Sequence, residues 1–155
     1  MDADFSHAPR YVPEMLATLS DCDVVVGSRY VVGGRLDEHW GWGRRLLSLF
    51  ANSVYTRLIL GLQVRDVTAG FRVWRRETLL GLGLQRLRSN GYVFQVELAY
   101  VTERLGYRVR EFPIYFEDRR IGRSKMSQRN VLEAVWRTPV VAHTHRHLTP
   151  ADRQR

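Results

Sequence analysis

The chain has 155 residues, a length that fits one domain of ordinary size. Hydrophobic residues make up 45% of it and charged residues 26%, a globular composition that excludes general disorder. The formal net charge is +8, and nearly all of the positive charge is arginine, because Lys125 is the only lysine. This balance favours partners that carry phosphate, whether nucleic acid, anionic lipid or nucleotide. The single cysteine, Cys22, excludes a disulfide framework, and no apolar run approaches the ~18 residues of a spanning helix.

The first half of the chain predicts a helix, a strand, a loop and a second helix. Residues 8–21 have an apolar stripe at helical spacing and a proline suited to a first turn. Residues 22–30, CDVVVGSRY, form a continuous β-branched run that predicts a buried strand, with function at its C-terminal end. Residues 31–43 predict a loop, and residues 44–62 predict a helix that stops at Gly61.

The next segment predicts a strand around residues 71–74, a short helix over 78–84 and an amphipathic helix over 91–107 that ends at Gly106. Residues 108–116, RVREFPIYF, alternate and predict a strand, in which Pro113 indicates an edge or a bulge.

A final helix over 128–141 should break near Pro139, and the tail 143–155 is predicted to be disordered. The order of elements predicts an α/β fold with a mixed sheet flanked by helices, although only about three strands are convincing, against the usual ~5–6 per sheet.

Three groups of polar residues could carry chemistry. Asp2 and Asp4, in MDADFSH, can converge on a divalent cation such as Mg²⁺ or Mn²⁺, although taken alone they fit a solvated acidic start or a helix cap better. Asp66, Thr68 and Arg72 gather a carboxylate, a hydroxyl and a cation around a glycine turn, which could bind a polar ligand or merely cap its own backbone.

The third group is the segment DRRIGRSKMS. It places Arg119, Arg120, Arg123 and Lys125 around Gly122 and Ser124. Backbone N–H groups beside a glycine, a hydroxyl and several cations are typical of a phosphate cradle, and the alternative is a solvated basic loop.

Six blocks follow one another in a specific order and spacing: MDADFSH, VVVGSRY, DVTAGFRVWRRE, GYVFQVEL, EFPIYFEDR and GRSKMS. From Met1 to about Val141 the chain resembles the polyprenyl-phosphate (dolichol-phosphate) mannose synthases, which are inverting glycosyltransferases with the GT-A fold. The resemblance implies an incomplete GT-A fold, in which residues 1–142 are the C-terminal part of the domain. It also implies that an N-terminal, nucleotide-binding half of roughly one hundred residues is missing.

The resemblance implies a role for each matching residue. Asp2 and Asp4 hold the divalent metal, Arg29 and Thr68 bind the acceptor phosphate, and Gln95 and Glu97 face the sugar. Arg119, Ser124 and Lys125 bind the donor diphosphate, Asn52 falls on an interfacial helix, and Asp66, Arg72 and Arg119 are the catalytic residues.

The implied reaction is transfer of mannose from GDP-mannose to a polyprenyl monophosphate with inversion. The acceptor oxygen is already anionic near neutral pH, so Asp66 is expected to position groups rather than to accept a proton. The metal and arginine stabilise the leaving GDP. The resemblance further implies that the 155-residue chain is a truncated fragment without turnover, with a short protein that needs a partner as the alternative.

A lipid acceptor fits a membrane-associated enzyme. Trp40, Trp42, Leu46 and Leu47 lie beside Arg44 and Arg45, and such an aromatic and basic segment can lie in a membrane interface. The chain is therefore expected in the cytoplasm, peripherally associated with the inner face of the plasma membrane. Leu46 and Leu47 could equally belong to the core.

Three alternatives remain at this stage. A related synthase could use UDP-glucose or another nucleotide sugar. A basic nucleic-acid-binding module would fit the pI of about 10.4, but the arginines are scattered rather than set on one face, and we expect no nucleic-acid partner. The segment HTHRH could offer His143, His145 and His147 to zinc, although its position in an aperiodic tail favours disorder.

Overall fold

The computed structural model describes residues 6–36, 43, 55–117 and 128–154. The strands are β1 (Val24–Ser28), β2 (Arg35–Leu36), β3 (Arg72–Trp74), β4 (Val109–Pro113) and β5 (Tyr115–Phe116). The α-helices are α1 (Val12–Thr18), α2 (Thr56–Leu60), α3 (Arg76–Leu82), α4 (Gly91–Arg104) and α5 (Gln128–His145). Single 3₁₀ turns cover Pro9–Tyr11, Leu19–Asp21, Leu84–Arg86 and Pro150–Asp152. The predicted mixed α/β architecture is confirmed for these ranges.

Strand β1 is the central strand of the larger sheet. It pairs antiparallel with β3 and parallel with β4, in the order β3-β1-β4. Strand β4 is therefore an edge in the described part of the sheet, as Pro113 predicted. At Ile114 the chain leaves this sheet, and β5 pairs in parallel with β2 to form a second, two-stranded sheet.

Both faces of β1 are covered, which explains its continuous apolar sequence. Val25 packs on one face with Met15 of α1 and with Phe71. Val24 and Val26 point to the opposite face, because side chains alternate along a strand. A separate cluster joins α2, α4 and α5, through residues such as Leu60, Val96, Tyr100 and Val141.

The predicted helix stops at Gly61 and Gly106 are confirmed. Gly61 caps α2 at φ 66°, and Gly106 follows α4 at φ 73°. These left-handed angles suit glycine, which has no Cβ to clash with the neighbouring backbone.

The prediction that the last helix breaks near Pro139 is wrong. Helix α5 continues through Pro139 to His145. Thr138 and Val141 on either side of the proline are buried, so the apolar face of the helix packs without interruption. Proline removes one backbone donor, and this packing outweighs that local loss.

The structure also differs from the predicted disordered tail over residues 143–154. His145 and Leu148 are buried, and a 3₁₀ turn follows at Pro150–Asp152. The backbone N–H of Gln154 donates to the Gly81 carbonyl at 2.9 Å, which fixes the segment to the end of α3. The contacts come from distant parts of the chain, so the aperiodic local sequence did not predict them.

Candidate functional site

The centre of the site is an ion pair at the C-terminal end of β1. Arg29 follows this strand directly, and Asp66 lies in the segment that leads to β3. The Asp66 carboxylate accepts hydrogen bonds from the Arg29 backbone N–H at 2.9 Å, from Nε at 2.8 Å and from Nη2 at 2.6 Å. Asp66 is fully buried, whereas the Arg29 side chain is 11% exposed. The pair therefore presents a cation, rather than a carboxylate, towards solvent.

Thr68 completes this cationic site, which we define as Arg29, Asp66 and Thr68. The Thr68 hydroxyl accepts a hydrogen bond from Arg29 Nη2 at 3.1 Å. Burial disfavours the charged guanidinium, but the charge and hydrogen bonds of Asp66 outweigh it and hold the pKa of Arg29 above its ordinary value. A fixed guanidinium beside a hydroxyl can bind an anionic oxygen, since arginine carries five N–H donors and these bonds use Nε and Nη2.

Aromatic rings frame the Arg29 guanidinium. Its central carbon lies 5.3 Å from the centroid of the Tyr30 ring and 5.2 Å from that of the Phe116 ring. Both distances suit a cation–π contact. The same Phe116 ring lies 5.2 Å from the ring of His7, which is buried and also packs 5.1 Å from Phe71. Phe116 thus joins the cationic site to the beginning of the chain.

Arg72 is bonded to the protein backbone. Its guanidinium donates to three backbone carbonyls, those of Val67, Ala69 and Gln95, at 2.8, 2.9 and 3.1 Å. Burial lowers the pKa of Arg72 to about 10, with Asp66 opposing the shift, so the group stays charged at neutral pH. These bonds fix the turn 66–70 against α4, and the catalytic role of Arg72 stays a prediction.

Glu97 is also fully engaged within the protein. Its carboxylate accepts the backbone N–H groups of Arg88 and Ser89, the latter at 2.7 Å, and lies 2.7 Å from His145 Nε2. Burial raises its pKa and these hydrogen bonds lower it, and the net pKa lies below the usual value. Glu97 therefore anchors the C-terminal segment. Gln95 contributes its backbone carbonyl to Arg72, and the role of both residues towards a sugar stays a prediction.

Several predicted site residues lie outside the described ranges. They are Asp2, Asp4, Asn52, Arg119, Ser124 and Lys125, together with Trp40, Trp42, Arg44, Arg45, Leu46 and Leu47. Within the described ranges, no group of three His, Cys, Asp or Glu side chains could hold a metal ion, and the histidines of HTHRH form no such site. His7 lies three residues after Asp4 in the sequence, and Phe116 lies three residues before Arg119. These two described residues are in contact, since the His7 ring packs on the Phe116 ring.

The sequence analysis singled out Arg29, Asp66 and Thr68, which the structure joins by hydrogen bonds, but missed Phe116 and His7. Phe116 lay within a predicted strand, and His7 lay within the block MDADFSH with no role of its own. The available signal was the aromatic run beside the basic loop, because a ring next to a buried cation often stacks on it.

Sequence comparisons place the chain beside two bacterial proteins, while no protein-family model matches it. It is 45% identical over 135 residues to the undecaprenyl-phosphate mannosyltransferase of Micrococcus luteus, covering 87% of this chain and 55% of the relative. It is 44% identical over 138 residues to the polyprenol monophosphomannose synthase of Mycolicibacterium smegmatis, covering 88% and 51%. The chain spans about half the length of these curated relatives. The resemblance to polyprenyl-phosphate mannose synthases is thus confirmed over nearly nine-tenths of the chain.

Proposed function

We propose that this chain carries the acceptor-binding part of a polyprenyl-phosphate mannosyltransferase with a GT-A fold. The reaction would transfer mannose from GDP-mannose to a polyprenyl monophosphate with inversion. The observation that carries the proposal is the cationic site, in which Asp66 fixes Arg29 at three points beside Thr68. The printed names of the two relatives, one an undecaprenyl-phosphate and one a polyprenol enzyme, support a lipid phosphate as the ligand.

In this proposal Arg29 and Thr68 bind the acceptor phosphate. Asp66 is buried and held by Arg29, so it serves to orient the guanidinium rather than to act as a general base. A phosphate monoester is already anionic at neutral pH, and the site contributes positioning and charge complementarity. Arg72 supports the site from behind by fixing the turn that carries Asp66 and Thr68.

The donor side rests on residues outside the described ranges. Asp2 and Asp4 would hold Mg²⁺ or Mn²⁺, which are ions that favour carboxylate oxygens. When bound, such an ion neutralises charge that builds on a departing diphosphate. Arg119, Ser124 and Lys125 would bind the same diphosphate. The His7–Phe116 contact supports this arrangement, because His7 follows Asp4 closely in the sequence and Phe116 closely precedes Arg119.

A membrane surface is the proposed location of this reaction, on the inner face of the plasma membrane. Helix α5 supports it with two exposed apolar side chains one turn apart, Leu132 at 69% and Trp136 at 80%. Tryptophan is favoured at the boundary between lipid and water. Among the described residues, no helix combines the length and the hydropathy that crossing a membrane requires.

The experiment replaces the matched 135 residues of the Micrococcus luteus protein with those of this chain. We expect the purified chimera, with Mg²⁺ or Mn²⁺, to transfer labelled mannose from GDP-mannose to undecaprenyl phosphate. Arg29→Gln should reduce this transfer by about 10- to 100-fold, since it removes charged hydrogen bonds.

UDP-glucose in a parallel reaction tests the alternative donor. Labelled glucose on the lipid would replace the donor assignment and keep the acceptor assignment. A folded chimera that transfers neither sugar, beside an active parent, would refute the proposed function.

A further inference from the structure

The segment that carries Asp66 is held in place by a side chain from the sheet. The backbone N–H groups of Arg65 and Asp66 donate to the two carboxylate oxygens of Glu111, at 3.0 and 2.9 Å. Asp66 in turn grips Arg29 through its own carboxylate. Glu111 therefore contacts the residue that orients the guanidinium, and no hydrogen bond among the described residues joins it to Arg29 itself.

The position of Glu111 in the sheet gives this contact its significance. Glu111 stands on β4 opposite Val26 of β1, and Arg29 comes directly after the end of β1, three residues after Val26. The positions of both residues are thus set by two strands that pair directly. The segment that carries Asp66 forms neither helix nor strand. Its N–H bonds to Glu111 therefore fix its position relative to the same sheet that positions Arg29. Placement within ~0.5 Å is what a binding constellation needs from its supporting shell.

A second glutamate makes the matching bonds one step earlier in the chain. Glu103 of α4 accepts the backbone N–H groups of Gln63 and Val64, at 2.9 and 3.0 Å. The chemistry is the same as at Glu111, but the anchor is a helix and the bonds stop short of Asp66. Glu103 is therefore a natural control for the loss of a loop-holding carboxylate.

We propose that Glu111 is a positioning residue for the acceptor phosphate, because it fixes the backbone of Asp66 and thereby the direction in which Arg29 points. The inference rests on the proposed function. Glutamine at position 111 keeps one acceptor oxygen but turns an NH₂ donor towards a second N–H donor, so one of the two backbone bonds is lost. The Asp66 backbone is then no longer held in a fixed position relative to the sheet. As a result, its carboxylate no longer holds the Arg29 guanidinium in one orientation.

The test measures binding of farnesyl phosphate and of farnesol, which lacks the phosphate, to the 155-residue chain by isothermal titration. Four proteins are compared: the unmodified chain, Glu111→Gln, Glu103→Gln and Arg29→Gln. We expect Glu111→Gln to weaken farnesyl phosphate binding about tenfold, the effect of one charged hydrogen bond, and Glu103→Gln to change it by less than about twofold. Farnesol binding should be the same in the unmodified chain and in Glu111→Gln, since only the phosphate needs Arg29.

The outcomes separate the inference from the proposed function. If Arg29→Gln loses phosphate binding while Glu111→Gln behaves like Glu103→Gln, the positioning role is wrong and the acceptor site stands. Equal loss of farnesol and farnesyl phosphate in Glu111→Gln would mean general loosening and would also overturn the role. If the unmodified chain prefers neither ligand, or Arg29→Gln binds normally, the acceptor site itself fails. Should Glu111→Gln not fold, Glu111→Asp and Glu103→Asp decide the same comparison.

Discussion

The hydroxyl of Tyr55 donates a 2.6 Å hydrogen bond to the backbone carbonyl of Val135. In an α-helix that carbonyl accepts the N–H four residues later, and here this position is Pro139, which has no N–H. Tyr55, immediately before α2, thus supplies the donor that Pro139 lacks. The bond explains part of how α5 continues through a proline, and it connects α2 to α5.

Removing this hydroxyl should destabilise the protein in a way that depends on the proline. We expect Tyr55→Phe to lower the free energy of unfolding by about 1 kcal/mol, the net contribution of one hydrogen bond. In a Pro139→Ala background, where the backbone N–H returns, the same change should cost clearly less. Urea denaturation of the four proteins gives the coupling directly. Equal costs in both backgrounds would show that Tyr55 does not compensate for Pro139.

Glu97 should make the stability depend on pH in the acid range. Its pKa is depressed in the folded protein, so the unfolded chain takes up the proton more readily. Its contribution is therefore fully present above the ordinary value of 4.5 and is lost as the pH falls below that value through the folded pKa. We expect the free energy of unfolding to fall in this range, and to fall less in Glu97→Gln.

Glu97→Gln should also cost about 1–3 kcal/mol at neutral pH, because buried donors lose a charged acceptor. The exposed Glu77 on α3 offers a control for the loss of a carboxylate, and Glu77→Gln should cost clearly less at neutral pH. A profile that is identical in the unmodified chain and in Glu97→Gln would contradict the assignment.

Gly34 should be intolerant of a side chain because of the backbone beside the cationic site. A Cβ at position 34 would lie 2.6 Å from the Ser28 carbonyl oxygen and 2.9 Å from the Arg29 carbonyl carbon. Backbone cannot yield as a flexible side chain does, so Gly34→Ala should displace Arg29 and weaken farnesyl phosphate binding. Gly61→Ala is the control: its Cβ meets nothing within 4 Å, and its left-handed φ costs about 1–2 kcal/mol of stability. Isothermal titration with farnesyl phosphate and thermal unfolding of both variants check this difference. Equal farnesyl phosphate binding by Gly34→Ala and Gly61→Ala would contradict the prediction.

Trp136 provides a test of the proposed membrane surface. We expect Trp136→Asp to reduce the fraction of protein that floats with vesicles of phosphatidylglycerol and phosphatidylcholine, because it removes an exposed aromatic anchor. Leu80→Asp changes a 58% exposed apolar residue on α3 and should leave flotation unchanged. Equal flotation of all three proteins would argue against α5 as the contact.

The sequence predicted best where one local pattern decided the structure. The run at Val24–Val26 reads as a buried strand because both of its faces are covered, and Gly61 stops a helix through its own backbone angle. The prediction failed where the decisive contact is distant. Proline is disfavoured in a helix by local rules, and the compensating hydroxyl comes from Tyr55, which lies 80 residues before the Val135 carbonyl that it contacts.

The site shows the same division. Arg29, Asp66 and Thr68 stood in recognisable blocks, and in the structure the Arg29 side chain donates hydrogen bonds to the other two. Glu111 gave no comparable signal, because its partners are backbone N–H groups that any residue could supply. Patterns of side chains cannot reveal a contact whose other half is the main chain.

The four successive amides from Gln63 to Asp66 bond to carboxylates instead of to a neighbouring strand or helical turn. Deuterium exchange at these positions should therefore follow the rotation of two glutamate side chains, and not the opening of any regular element. A mass-spectrometric or NMR exchange map would then show intermediate protection at these four amides beside the sheet. Their exchange rate could be raised or lowered without unfolding the rest of the molecule.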